Sequence, residues 1–147
     1  MRKEFVIRGM LTHGVSEVLN FSGYKPGYAY RLTEFSVWPS GNVHGATDEL
    51  AASITAEKTA ADPINPDFNQ EGLIGNAMYI NSANNTDGPG LASLVNDTFL
   101  ITQNLLILAR DESGGNDINY QARFVSEKMS GPEEAVANYK QYTISDE

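Results

Sequence analysis

The chain has 147 residues, 41% of them hydrophobic and 20% charged, which is the composition of a single domain able to bury its own core. It has no cysteine, so disulfides, thiolate zinc sites, iron–sulfur ligation and cysteine nucleophiles are excluded together. Ten Lys and Arg stand against 19 Asp and Glu, a net charge of −9 that repels phosphate backbones and anionic headgroups, so neither nucleic acid nor a membrane is an expected partner.

At the N-terminus, Glu4 and Arg8 break the apolar stretch of Met1–Leu11, leaving no secretory core of about 7–15 apolar residues. The longest apolar run, Leu105–Ala109, is far below the roughly 20 residues that span a bilayer. Residues Lys3–Leu11 and Val15–Ser22 read as strands around the turn His13-Gly14. Phe35 and Val37 then alternate with Glu34, Ser36 and Trp38, and Leu50, Ala52, Ile54 and Ala56 with Ala51, Ser53, Thr55 and Glu57. Both patterns predict strands with one wet face. Further strands are predicted at Leu73–Ile80, Val95–Thr102 and Leu105–Arg110, and the clearest at Ile118–Phe124, where Ile118, Tyr120, Ala122 and Phe124 share a side. Gly23–Gly27, Pro39–Asn42 and Asp111–Asp117 are turns of hairpin length. Two longer polar stretches, Thr59–Gln70 and Asn81–Gly90, are expected to cross between sheets or to project as loops. Finally, Ser130-Gly131-Pro132-Glu133 matches a capping box and predicts a short helix from Pro132 to about Tyr142, lying as a lid on a sheet edge. About eight strands, all within residues 3–129, define one all-β domain over residues 1–147. The expected architecture is a two-sheet antiparallel β-sandwich of jelly-roll or immunoglobulin-like type.

Catalytic chemistry has little to build on. His13 and His44 both lie beside glycine in predicted turns, where a histidine is ordinarily solvated, and no Gly-x-Ser-x-Gly elbow is present. Glu133-Glu134 sits where the dipole of a helix start favours negative charge, and the other acids are expected on turns and outward strand positions. One loop has a metal-like spacing: Asn65, Asp67, Asn69 and Glu71 place an oxygen at every second residue, as a calcium loop does. It lacks the glycine and the closing glutamate of an EF-hand, so a proline-stiffened connection is the expected structure. Asp111, Glu112 and Asp117 around Gly114-Gly115 read first as a hairpin loop, and no glycine pair opens a phosphate cradle. No cofactor, resident metal or catalytic residue is expected.

Aromatic side chains are the concentrated resource. Phe21, Tyr24, Tyr28, Tyr30, Phe35 and Trp38 fall close together, and Tyr24, Tyr28 and Trp38 are the expected interface residues, able to anchor a protein partner or to stack on a sugar ring.

The segments Glu4-Phe5-Val6-Ile7-Arg8-Gly9, Val18-Leu19-Asn20-Phe21-Ser22-Gly23, Tyr30-Arg31-Leu32-Thr33-Glu34-Phe35, Asn96 through Leu105 and Ile118-Asn119-Tyr120-Gln121 resemble, across most of the chain, small virion structural proteins of marine tailed phages. The resemblance implies a non-enzymatic capsid decoration or minor capsid component. Its partners would be the major capsid protein or other virion proteins and copies of itself, and its location the virion, assembled in the host cytoplasm. A carbohydrate- or receptor-binding module of a phage fibre is the alternative that the aromatic residues leave open.

Overall fold

The computed structural model describes residues 3–20, 27–41, 47–82, 89–129, 131–132 and 136–137. These form eight strands: β1 (Lys3–Leu11), β2 (Glu17–Leu19), β3 (Tyr28–Pro39), β4 (Asp48–Thr55), β5 (Leu73–Asn81), β6 (Gly90–Val95), β7 (Leu105–Asp111) and β8 (Ile118–Lys128). They make a three-stranded sheet in the order β1-β8-β3 and a five-stranded sheet in the order β2-β7-β4-β5-β6. Every pairing is antiparallel. The first strand pairs with the eighth, the second with the seventh and the fourth with the fifth. A bridge between Tyr30 and Ile101 joins the start of β3 to the segment that follows β6. This nesting gives a two-sheet antiparallel β-sandwich whose strand order is jelly-roll-like, except that β6 pairs with β5 rather than with β3.

Alternation builds the core. Phe5, Phe124 and Leu32 lie in one cross-strand row of the smaller sheet, and Ile7, Ala122 and Phe35 in the next inward row. The larger sheet answers with Ala77, Ala52 and Ala109 in a single row, with Ile54 and Ile107 beside it. That row of small side chains leaves depth for the large residues of the smaller sheet. At Gly75 the approach is close: a Cβ there would stand 2.6 Å from Leu32 Cδ2 and 3.4 Å from Phe35 Cδ2. Phe5 stacks on Phe124 at 5.7 Å and meets Tyr30 edge-on at the same centroid distance, closing one end of the core.

The structure differs from the sequence expectation in several elements. The strand expected at Val95–Thr102 is instead β6, which ends at Val95. Asn96 Oδ1 accepts hydrogen bonds from the Thr98 backbone N–H and hydroxyl, a side-chain-closed turn that stops the strand. The strand expected over Val15–Ser22 is only the three residues of β2 among the described positions, and β3 extends well before Phe35, with the extra residue Thr33 forming a bulge whose hydroxyl donates to the Arg123 carbonyl. From Leu50 onward β4 has no wet face: Ala51, Ser53 and Thr55 are as buried as Leu50, Ala52 and Ile54. The cause is the connection after it. Ser53 Oγ donates to the Ala61 carbonyl at 2.7 Å, Thr55 Oγ1 accepts from Ala61 N–H at 3.0 Å, and the segment lies back over the outer face of the larger sheet. Of the two alternatives for the long polar stretches, the crossing between sheets is excluded at both, since β4–β5 and β5–β6 are neighbours in one sheet, and the loop alternative is left. The expected helix over 132–142 lies, apart from Pro132, Val136 and Ala137, outside the described residues, whose eight elements are all strands. Ala137 is buried against Ala29 and Met129 in a small satellite cluster.

Because Gly75 sits under Leu32, Gly75→Val lowers the unfolding free energy by about 2 kcal/mol in urea melts, an overpacking cost. Combined with Leu32→Ala it loses less than the sum of the two single losses, the signature of a direct contact.

Candidate functional site

The outer face of the smaller sheet is graded along its length. Its rows read Val6–Arg123–Glu34, then Arg8–Gln121–Ser36, then Met10–Asn119–Trp38. Arg123 holds the first row together through Glu34 at 3.4 Å and Glu4 at 3.8 Å, both exposed pairs of small energetic weight. The last row is open, with Met10 53% and Trp38 47% exposed on either side of Asn119. Here a shallow concavity of about 760 Å³ is lined by Arg8, Met10, Ser36, Trp38, Asn119 and Gln121, with Leu91 of β6 at its margin. Because β3 is an edge strand, the Trp38 ring reaches round it and meets Tyr79 of β5 edge-on, at 5.1 Å and 65°. The indole is thus both exposed and held by an aromatic contact.

Of the other expected interface residues, Tyr24 lies outside the described residues and Tyr28 stands half-buried at the start of β3. Ten residues of strand separate Tyr28 from Trp38, about 30 Å of extended chain. These two therefore belong to opposite ends of the sandwich rather than to one aromatic patch.

A second open surface was not singled out by the sequence. The β5–β6 hairpin carries no charged residue in Leu73–Asn81 or Gly90–Val95, although the chain as a whole carries 29 charges (ten basic and 19 acidic). Its outer face presents Ile80 and Met78 on β5 with Ala92 and Leu94 on β6, and Leu94 is 62% exposed. Phe68, 67% exposed, stands over the same end and shares a groove of about 270 Å³ with Leu94 and Asn76. The signal lay in a hydrophobic run without alternation, Leu91-Ala92-Ser93-Leu94-Val95, set in a neutral stretch.

Phe68 belongs to the loop that holds the calcium-like spacing, and there the structure uses the polar groups to shape the backbone. Asp67 Oδ1 accepts from Asn69 N–H at 2.9 Å, and Asp62 Oδ1 from Ile64 N–H at 2.9 Å. Glu57 closes the loop, accepting from Gln70 Nε2 at 2.7 Å and from Gly72 N–H at 2.9 Å. Asn65, Asp67, Asn69 and Glu71 are all exposed. Among the described residues, no three Asp, Glu or His side chains stand together closely enough to hold an ion between them.

Two carboxylates break the expectation that acids lie outward. Asp48 and Asp111 are 9% and 2% exposed, at the end of the sandwich where the β3–β4 connection meets the β7–β8 turn. Asp111 Oδ1 accepts from the Ser113 backbone N–H and hydroxyl, and Oδ2 accepts from Asn116 N–H. Burial pushes this carboxyl up, but the hydrogen bonds from Ser113, Asn116 and Gly114 outweigh it and hold it below its ordinary value. The Asp111 backbone N–H donates to His13 Nδ1 at 2.8 Å, so this imidazole nitrogen carries no proton and ties the β1–β2 turn to β7. His13 is thus a structural acceptor, and His44 lies outside the described residues. Asp48 is the converse case. Burial first, and the negative charge of Asp111 second, raise its carboxyl above the ordinary value. The neighbouring Tyr79 phenol is likewise raised by burial and then by Asp48.

Comparison with known proteins gives no match, either to a protein-family profile or to a curated sequence.

Asp111→Ala frees three donors of the β7–β8 turn and destabilises the fold by about 2–3 kcal/mol in urea, the scale of hydrogen bonds to a buried charged group. The two carboxylates also predict a pH profile of opposing signs. Asp48 binds a proton more readily in the folded state, so stability rises as pH falls from neutral through its raised pKa. Asp111 binds it less readily, so stability falls once pH passes below the ordinary carboxylate value of about 3.9 toward its lowered one. Urea midpoints measured from pH 7 to pH 3 in EDTA trace a shallow maximum that flattens in Asp48→Asn.

Proposed function

We propose that this chain is a non-enzymatic virion structural protein, a capsid decoration or minor capsid component that packs on a viral shell and on copies of itself. The observation that carries the reading is the neutral apolar ribbon of the β5–β6 hairpin. Ile80, Met78 and Leu94, with Phe68 beside them, hold apolar surface in water on a chain of net charge −9. An apolar patch of this kind marks a surface that meets another protein. It lies on β6, the last strand of its sheet, where backbone as well as side chains can take part in a contact. The resemblance of the chain to small virion proteins of marine tailed phages supports the same reading, and so does the jelly-roll-like sandwich, an architecture used by viral shell proteins among others.

Trp38 supports a second reading, a carbohydrate-binding module of a phage fibre. An exposed indole held in place by Tyr79, with the amides of Asn119 and Gln121 and the guanidinium of Arg8 around one shallow face, has the stacking surface and donors that a sugar ring uses.

The two readings separate experimentally. Under the first, purified particles of the cognate phage contain the protein, and Leu94→Glu weakens its association with the shell at least tenfold while Trp38→Ala leaves it unchanged. Particles lacking the protein, or a Leu94→Glu variant that associates normally, overturn it. Under the second, glycan-array binding is present and is lost in Trp38→Ala alone.

A further inference from the structure

The acidic end of the sandwich offers a different chemistry from the apolar ribbon, and it stands independently of the proposed function. A pocket of about 230 Å³ lies between the β3–β4 connection and the β7–β8 turn, and its lining includes Asp48, Asp111, Asn116 and Asp117 but no described Lys or Arg. The nearest basic side chain in sequence, Arg110, is paired with Glu112 at 3.1 Å. Asp111 has both oxygens committed to the turn, as described above. Asp48 does not: its residue is only 9% exposed, and Oδ2 is fully buried with no hydrogen-bond partner among the described residues. The buried Tyr79 hydroxyl, from the adjacent strand, is also without a partner there.

A buried carboxylate oxygen left unpaired beside a second carboxylate is costly, and proteins relieve such a site with a proton, a cation or a paired donor. Asp48 sits in β4, across from Asn81 of β5, and Asp117 closes the β7–β8 turn. The two meet at one pocket only because β4 and β7 are hydrogen-bonded neighbours.

We infer that this pocket is a calcium-binding site in which the carboxylates of Asp48 and Asp117 supply the charge and neutral oxygens complete the shell. Calcium accepts six to eight oxygen ligands in irregular arrangements, including amide carbonyls, backbone carbonyls and water, so two carboxylates suffice. Asn116 and the backbone of Ser40 and Gly41 line the pocket and are the neutral donors at hand. Asp111 acts behind them, adding negative field while it fixes the turn that carries Asn116 and Asp117. Among the described lining residues the candidate ligands are all oxygens, which favours calcium over transition metals.

The test uses the full chain and two probes, calcium chloride and terbium chloride. With a dissociation constant of about 0.5 mM, about 5 mM calcium raises the melting midpoint by roughly 4 °C over EDTA. Terbium luminescence is sensitised through Trp38, the one tryptophan of the chain and the neighbour of pocket residue Pro39. Asp48→Asn abolishes both responses, yet in EDTA it melts no lower than the parent, because it removes a buried charge facing Asp111. Asp117→Asn, an exposed position that leaves the fold intact, weakens both responses at least tenfold in calcium concentration. Asp67→Asn, in the other oxygen-rich loop, changes neither. A parent protein insensitive to calcium and dark with terbium overturns the inference. So does a response that survives in Asp48→Asn and Asp117→Asn, or one lost in Asp67→Asn.

Discussion

The close approach of the two sheets at Gly75 is the constraint on which the rest of this molecule depends. A β-sandwich must bury large side chains from two sheets in one thin layer, and here the larger sheet gives way, with a row of three alanines and a glycine beneath Leu32 and Phe35. Size complementarity of this kind fixes the lateral offset of the sheets as firmly as hydrogen bonds fix the strands within each. The offset in turn decides what is left outside. It sets the edge of β3 against β5, so that Trp38 finds Tyr79, and it leaves β6 at the margin with both faces exposed. The two surfaces on which function was argued are therefore consequences of how the core closes.

The charge of −9 proves to be of two physical kinds. Most of the described acids are solvated and act collectively, as a diffuse negative field. Asp48 and Asp111 are individual. One is satisfied by the turn it organises, and the other is desolvated in the field of the first. Two identical side chains a few residues apart in space thus have pKa shifts of opposite sign, decided by who donates to them rather than by depth alone.

Much of the fold could be read from alternation. The limits of β1 are those the sequence predicts, and the strands around Leu50, Leu73, Leu105 and Ile118 lie where the pattern puts them. β6 escaped since Leu91–Val95 has no dry face to impose a period of two, and an Asn96-centred turn falls where the apolar residues continue. The double burial of β4 was equally illegible: Ser53 and Thr55 look like wet-face residues until Ala61 is seen bonded to them. Of the site residues, Trp38 was visible as an exposed aromatic on an alternating strand. The distance between Trp38 and Tyr28 was not, because sequence proximity along a strand means separation in space. Asp48 could not be placed with Asp117 at all, since only the pairing of β4 with β7 joins them.

The nested pairing of the strands has a consequence for synthesis. β8 lies between β1 and β3, so neither of those strands has a partner in its sheet until the last strand has left the ribosome. A nascent chain can assemble β4, β5, β6 and β7 early, but it does so with the inner face of that sheet uncovered. Phe5, Leu32 and Phe35 must wait with it. Closure of the smaller sheet thus waits on residues 118–128, a long-range pairing of the kind that slows folding and leaves apolar surface open meanwhile.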